Sequence, residues 1–169
     1  QAGQRESKAA RDSAGILDAS TLGKIDIQGS DASEFLNRVY TNAWSKLAIG
    51  KCRYGLMLNE DGMVYDDGVT TRLDENHYIM TTTTGGAATV LGKLEDYLQT
   101  EWPELDVYLT SVTDHYATIS VCGPNSKKII SKVIPNLDLS DEKFPHMSFK
   151  NTKIDKVKCR VMRISFTGE

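Results

Sequence analysis

The chain has 169 residues, of which 40% are hydrophobic and 25% are charged, as is usual for a globular protein large enough to bury a core. Its formal net charge is −3, from 20 Lys and Arg against 23 Asp and Glu, which disfavours a nucleic-acid partner. No apolar run approaches the roughly 20 residues of a membrane helix, and the polar segment 1–11 lacks the pattern of a secretory signal. We therefore expect a cytoplasmic protein without a membrane partner.

The cysteines and histidines give no sign of a disulfide framework or a metal site. Cys52, Cys122 and Cys159 are odd in number and far apart, which indicates reduced thiols. The three histidines do not occur at His-x-x-x-His spacing, so we expect no protein-bound metal.

The first third of the chain predicts two helices separated by extended segments. Periodicity predicts a helix, an extended segment and a half-buried strand over residues 6–15, 16–19 and 22–29. Ser30 or Asp31 is expected to cap the next helix, with Glu34 completing a capping box. The apolar residues of that helix share one face and should pack in the core: Phe35, Leu36, Val39 and Tyr40.

The middle of the chain predicts an antiparallel meander. Three strands are expected over residues 51–59, 63–73 and 77–82. An Asp-Gly turn at 59–62 joins the first two, because glycine accepts a positive φ there. A helix should begin at 84–86, bury Leu91, Leu94 and Leu98, and end at Trp102 before a proline.

The last third alternates short strands, a helix and a loop. Strands are expected over 105–109 and 117–121, a helix after Gly123, a polar loop over 135–152 and a final strand over 156–165. The helix should carry three residues inward: Ile129, Ile130 and Val133. This order predicts an α+β fold with mostly antiparallel sheets and packed helices.

We divide the chain into a first part (1–50), a central hairpin and helix subdomain (51–134), and a loop and strand that return to the first part (135–169). The sequence stops within the turn signal at 165–169, so we expect a domain truncated at its C-terminal end and a fragment of a longer protein.

Two acidic residues in the second strand of the meander are the main candidates for chemistry. Alternation should place one of Asp66 and Asp67 on the face of Val64 and the other on the face of Tyr65. A carboxylate on an inner face is costly unless it is paired or used. The pair is therefore either a catalytic acid or base, or a set of surface and turn residues, and parity does not say which aspartate faces inward.

Other polar residues have a structural and a functional interpretation. The hydroxyls of 81–84 could cap the following helix or bind the polar edge of a ligand. Tyr54 and Tyr65 could pack or line a pocket. Lys24 and Arg53 are expected on the solvated surface, where an anionic ligand tail is the alternative. The sequence contains no Walker loop and no Gly-x-Gly-x-x-Gly motif, so it does not indicate a nucleotide site.

Five short motifs in order resemble the folate-binding aminomethyltransferase family over nearly the whole chain. They are LDASTLGKI at 17–25, the helix and Thr-Asn of 31–42, the Asp-Asp hairpin of 54–69, Gly123-Pro124, and the SFTGE of 165–169. The segments DDGVTTRL, TTTTGGAA and LQTEWPEL resemble the sequences of one branch of this family. In that branch the domain belongs to a heterotetramer that oxidises sarcosine.

This resemblance implies that sarcosine is oxidised on a flavin and that tetrahydrofolate captures the one-carbon unit of the imine, giving 5,10-methylenetetrahydrofolate and glycine. It implies beta, gamma and delta subunits as partners. It also implies FAD, FMN and NAD in the complete enzyme, outside this chain. The isolated fragment is expected to be inactive.

The resemblance also implies site residues. Asp66 takes the position of the family's catalytic acid, which accepts a proton or stabilises a cation, and Asp67 would point away. Tyr54 and Leu22 match residues near the folate, and Thr83 replaces an Asn that contacts the pterin. The family's pterin-holding glutamate would follow Glu169, beyond this sequence.

Two alternatives remain open at this point. One is a glycine-cleavage-type aminomethyltransferase or a dimethylglycine oxidase relative. The other is a folate-binding module without turnover, whose Lys-Gly-Cys-Tyr-type motif does not occur here.

Overall fold

The computed structural model describes residues 2–165, which group into two compact units. The first unit comprises residues 20–116, and the second comprises residues 2–19 and 117–165. The sequence-based division into 1–50, 51–134 and 135–169 stays a prediction. Residues 166–169 of the turn predicted at 165–169 lie outside the described residues.

Four α-helices and nine strands are found in the described part of the chain, as predicted for an α+β fold with antiparallel sheets. The helices are α1 (Ala2–Asp12), α2 (Ala32–Val39), α3 (Ala87–Asp96) and α4 (Ser126–Val133). The strands are β1 (Gly15–Asp18), β2 (Gly23–Gln28), β3 (Cys52–Leu58), β4 (Val64–Asp74), β5 (His77–Thr82), β6 (Tyr108–Ser111), β7 (Ile119–Cys122), β8 (Ser148–Ile154) and β9 (Val157–Arg163).

The first unit is built on a five-stranded antiparallel sheet in the order β3-β4-β5-β2-β6. The predicted meander forms β3, β4 and β5, and Gly62 in its first turn has φ +80°. The prediction that β2 is half-buried is wrong, because successive residues such as Lys24 and Ile25 are both buried. Helix α3 lies against one face of β2, where Gly23 is close to Ala87, and Lys24 on the other face is covered by the segment around Thr113.

Helix α2 supplies much of the core of this unit. Phe35 and Leu36 are fully buried, Tyr40 is buried and Val39 is half-buried, as predicted. The Phe35 ring meets Trp102 edge-on with centroids 6.1 Å apart. Each such buried side chain contributes about 1.5–3 kcal/mol through removal of apolar surface from water.

The predicted capping box of α2 is wrong. Asp31 occupies the N-cap position without a side-chain cap hydrogen bond. Its carboxylate instead accepts a hydrogen bond from the backbone N–H of Asp106 at 2.9 Å, and Glu34 pairs with Arg38. A tertiary partner 75 residues away thus competes successfully with the local cap.

Helix α3 begins where predicted and buries Val90 and Leu94, with Leu91 and Leu98 half-buried. A π-helical turn, Tyr97–Glu101, continues it, and the backbone N–H of Trp102 bonds to Tyr97 O at 2.9 Å where the helix ends.

The second unit contains an antiparallel β1-β7 pair and a β8-β9 hairpin. The predicted loop 135–152 is wrong at its end, because β8 begins at Ser148 and pairs with β9 through a turn with Asp155 at φ +52°. The polar side chains of Lys150, Asn151 and Lys153 conceal this strand in the sequence, since these residue types are poor strand formers.

The prediction that α4 turns Ile129 and Val133 inward is also wrong, because these side chains are 39% and 49% exposed. The strand against which α4 packs, β7, has only four residues and covers little of the helix. Ile134, just after the helix, is the residue that is buried.

Within the described residues 2–165, none of the helices has the length and the apolar character needed to span a lipid bilayer. The three cysteines form no disulfide with one another.

Candidate functional site

The start of β4 departs from a regular strand next to the two candidate aspartates. Met57 pairs with Asp66, whereas the next residue of β3 pairs with Val64, so Tyr65 is an extra residue in a β-bulge. The Tyr65 ring lies 4.5 Å from Lys93 Nζ of α3. The bulge interrupts the regular alternation, so that Asp67, and not Asp66, shares the face of Val64.

Asp66 is the aspartate that faces inward. It is only 5% exposed, and Thr83 binds both of its carboxylate oxygens. The Thr83 hydroxyl donates to Oδ1 at 2.7 Å, and the Thr83 backbone N–H donates to Oδ2 at 3.2 Å. Strand alternation alone did not determine which aspartate faces inward, and these contacts show that it is Asp66.

The N-terminus of α3 lies against this carboxylate. Gly86 is the N-cap residue, and its N–H donates to the Thr83 hydroxyl oxygen at 3.0 Å. A Cβ on Gly86 would lie only 2.9 Å from Asp66 Oδ1, so helix and acid are in close contact. A negative charge near a helix N-terminus is stabilised by the helix dipole.

Tyr40 is a buried phenol near the same acid. It bridges to Met57, the cross-strand partner of Asp66. Burial, with the negative charges of Asp66 and Asp67, raises the pKa of the Tyr40 hydroxyl above its usual range. Tyr40 therefore stays neutral at physiological pH.

Asp67 and Tyr54 occupy the opposite face of the β3-β4 hairpin. Asp67 pairs with Leu56, and Tyr54 lies two residues from Leu56 on the same face. The Tyr54 hydroxyl donates to Asp67 Oδ2 at 2.6 Å, and the Tyr54 ring is half exposed. The structure brings Thr83 to Asp66 but does not bring Tyr54 to it.

The Tyr54–Asp67 bond has a consequence for the titration of Tyr54. The hydrogen bond to the Asp67 carboxylate raises the pKa of the Tyr54 hydroxyl, since it favours the neutral phenol. In an Asp67→Asn variant we expect this pKa to fall back towards the usual value of about 10. Titration of specifically labelled tyrosine by NMR measures it, and a pKa unchanged by the substitution would contradict the assignment.

Leu22 lies at the same end of the sheet as Thr83. The β2-β5 register ends with the pair Gly23 and Thr82, and Leu22 and Thr83 are the next residues on each strand. The side-chain hydroxyls of Thr21 and Thr84 are 3.1 Å apart across this end. The structure thus places Leu22, Thr83 and Asp66 in one neighbourhood.

The two basic candidates have structural partners. Lys24 is buried, contrary to the expectation of a solvated side chain, and its Nζ donates to the carbonyls of Ser20 and Leu22, both at 2.9 Å. Arg53 is half-buried and donates to the carbonyl of Ala43 at 2.7 Å. These contacts fix the start of β2 and the segment before β3.

The close approach of Gly86 to Asp66 and the bulge at Tyr65 are not predicted by the sequence. A Gly-Gly pair before a helix is read as a turn, and no residue pattern in 63–67 marks a bulge. Both features depend on what lies across the sheet, so the sequence carries no local signal for them.

A half-buried leucine, Leu22, and the buried Asp66 carboxylate lie in one neighbourhood. A pterin, the flat heterocycle that the resemblance implies, would need an apolar contact for its face and a polar partner for its edge, and residues of both kinds are present here. Two surface depressions are formed elsewhere, at 124–140 and at 95–110, and neither is lined by these residues. In residues 2–165, no group of three or more His, Cys, Asp or Glu side chains is placed to hold a metal ion.

Known proteins resemble this chain in sequence and in fold. The sarcosine oxidase subunit alpha of Corynebacterium sp. strain U-96 is 57% identical over 98% of this chain, which spans 17% of that relative's length. The aminomethyltransferase T of the Bartonella henselae glycine cleavage system superposes with a TM-score of 0.81 at 24% identity, covering 97% of this chain and 42% of that one.

A chain of the heterotetrameric sarcosine oxidase from Corynebacterium sp. U-96 shares the fold more distantly. Its TM-score is 0.61 at 12% identity, over 89% of this chain and 70% of that one. The GCVT N-terminal domain family matches residues 1–169, the full length of the sequence. The resemblance in motifs is therefore confirmed, and the chain belongs to the GCVT N-terminal domain family.

Proposed function

We propose that this chain is the tetrahydrofolate-binding part of a sarcosine oxidase alpha subunit. In the complete enzyme it transfers the one-carbon unit of the imine, formed by two-electron oxidation of sarcosine on a flavin, to tetrahydrofolate. The products are 5,10-methylenetetrahydrofolate and glycine. The observation that supports this most directly is the buried Asp66 carboxylate, held by Thr83 at the N-terminus of α3.

Tetrahydrofolate, when bound, supplies the nitrogen nucleophiles that capture the methylene carbon. Asp66 accepts the proton lost by a folate nitrogen, or stabilises the cationic carbon centre by its negative charge. The low exposure of Asp66 limits competition by water, and this strengthens its electrostatic effect. Leu22 packs on the pterin.

The resemblance implies folate contacts at the positions of Thr83 and Tyr54 as well. Thr83 stands where the resemblance places an Asn, but its hydroxyl is bonded to Asp66. Contact between Tyr54 and folate stays a prediction, since Tyr54 lies on the other face of the hairpin and is bonded to Asp67.

The complete enzyme is proposed to contain FAD, FMN and NAD outside this chain, to assemble with beta, gamma and delta subunits, and to work in the cytoplasm. The 57% identity to a sarcosine oxidase alpha subunit supports these proposals.

The proposal is tested on the complete enzyme with sarcosine labelled with ¹³C in its methyl group. We expect saturating tetrahydrofolate to divert the label from formaldehyde to methylenetetrahydrofolate, and calorimetric titration to detect tetrahydrofolate binding. Formaldehyde as the sole labelled product, without binding, would contradict the proposal. Binding without labelled methylenetetrahydrofolate indicates a folate-binding module, and turnover of an aminomethyl-lipoyl protein indicates a glycine-cleavage-type transferase.

A further inference from the structure

The hydroxyl of Thr83 is committed to two partners within the protein. It donates its one proton to Asp66 Oδ1 at 2.7 Å and accepts the Gly86 N–H at 3.0 Å. A threonine hydroxyl has a single donor, so a ligand could not receive a hydrogen bond from Thr83 without breaking the bond to Asp66. Thr83 is an exposed residue, but its hydroxyl is engaged with the acid and is not free to donate to a ligand.

Gly86 shows how tightly the acid and the hydroxyl are packed. A Cβ on Gly86 would lie 2.9 Å from Asp66 Oδ1 and 2.7 Å from Thr83 Oγ1. The φ of Gly86 is −84°, which other residues also adopt. The space is thus taken by the carboxylate and the hydroxyl, and backbone conformation does not require glycine here.

We propose that Thr83 is a positioning residue that fixes the Asp66 carboxylate against the N-terminus of α3, and that its hydroxyl does not bind the folate. The proposal rests on the proposed function for the role of Asp66. Two donors from one residue bind both carboxylate oxygens and so define the plane of the carboxylate. The remaining lone pairs of the two oxygens are then held in one orientation towards the reacting atoms.

A positioning role and a ligand contact have different kinetic signatures. Removal of a positioning group misplaces the acid and lowers the turnover number, whereas removal of a ligand contact weakens binding. The Thr83→Val variant keeps the shape of the side chain and removes the hydroxyl. Thr83→Ser keeps the hydroxyl, and Thr84→Val removes the neighbouring hydroxyl, which bonds to Thr21 and not to Asp66.

We expect Thr83→Val in the complete enzyme to lower the turnover number of methylenetetrahydrofolate formation by about ten- to a hundredfold, with the KM for tetrahydrofolate within about twofold of wild type. Thr83→Ser should restore most of the turnover, and Thr84→Val should leave it near wild type. Crystal structures of the complete enzyme should show the carboxylate of Asp66 turned from its position in Thr83→Val and unmoved in Thr84→Val.

Gly86→Ala and Gly85→Ala form a second, independent pair. A Cβ on Gly85 would have nothing within 4 Å, so Gly85→Ala is the matched control. Gly86→Ala should displace the carboxylate and lower the turnover number as Thr83→Val does, and Gly85→Ala should do neither.

A raised KM for tetrahydrofolate with unchanged turnover in Thr83→Val would overturn the proposal and make Thr83 a ligand contact. An unmoved Asp66 carboxylate in the Thr83→Val crystal structure would overturn it as well. This structural readout does not need folate chemistry. It therefore separates failure of the positioning role from failure of the proposed function, which the wild-type labelling experiment reports.

Discussion

Asp66→Asn is expected to lower methylenetetrahydrofolate formation by about 10²- to 10⁴-fold, the usual contribution of a general acid or base. An amide neither takes up the proton nor carries the negative charge. In the wild type the hydroxyl and the backbone N–H of Thr83 donate to the two carboxylate oxygens of Asp66. The NH₂ group of the asparagine would therefore face one of these two donors. The oxidation of sarcosine on the flavin should continue, with the labelled carbon released as formaldehyde.

The measurement is product partition with ¹³C-labelled sarcosine, with flavin reduction followed in parallel by stopped flow. Asp67→Asn is the matched control, because Asp67 lies on the other face of the hairpin and binds Tyr54. An equal loss of methylenetetrahydrofolate in both variants would remove Asp66 from its proposed role. A loss of flavin reduction in Asp66→Asn would show that the effect is not confined to the folate step.

Gly68→Ala is expected to destabilise the sheet by about 3 kcal/mol or more, at the upper end of the cost of overpacking. Gly68 pairs with Gly55 in β3, and a Cβ on it would lie 1.9 Å from the backbone oxygen of Thr81 and 2.8 Å from its carbonyl carbon. These are backbone atoms, so no side-chain rotation relieves the collision. Strand β5 would have to move away from β4.

Hydrogen–deuterium exchange of peptides that span β4 and β5 reports this local free energy. Gly92→Ala is the matched control, because Gly92 lies inside α3 and a Cβ there meets nothing within 4 Å. It should stabilise α3 by about 0.5–1 kcal/mol, since alanine loses less conformational entropy in a helix. Equal protection of β4 and β5 in the two variants would contradict this account of Gly68.

Features with local causes were predictable from the sequence. The turn at Gly62 follows from an Asp-Gly pair, and the buried face of α2 follows from apolar residues at helical spacing. The π-helical turn that continues α3 ends at Trp102, before a proline, and this stop is equally local. In each case the physical reason is contained within a few residues of the feature.

Features that depend on distant partners were not predictable. Lys24 is buried by contacts that include the backbone of Thr113, 89 residues later in the chain. The Asp31 carboxylate accepts a hydrogen bond from the Asp106 N–H instead of capping α2. Strand β8 is stabilised by its pairing with β9 rather than by its own residue types. Local propensity is outweighed at these points by tertiary contacts.

The candidate site divides in the same way. The motif resemblance indicated Asp66, Leu22 and Thr83, and the structure places these three together. The resemblance did not indicate that Tyr54 lies on the opposite face of the hairpin, or that Thr83 is hydrogen-bonded to Asp66. Both facts depend on side-chain directions that motif order does not encode.

The β-bulge at Tyr65 determines which of the two adjacent aspartates, Asp66 or Asp67, faces inward. With the same turn at 59–62 and no bulge, Met57 would pair with Tyr65 and Leu56 with Asp66. Asp66 would then point outward and Asp67 would take the inner face. The position of the acid is therefore set by a count of residues after the turn, and a slip of one residue in this hairpin would exchange the two aspartates while leaving every amino acid unchanged.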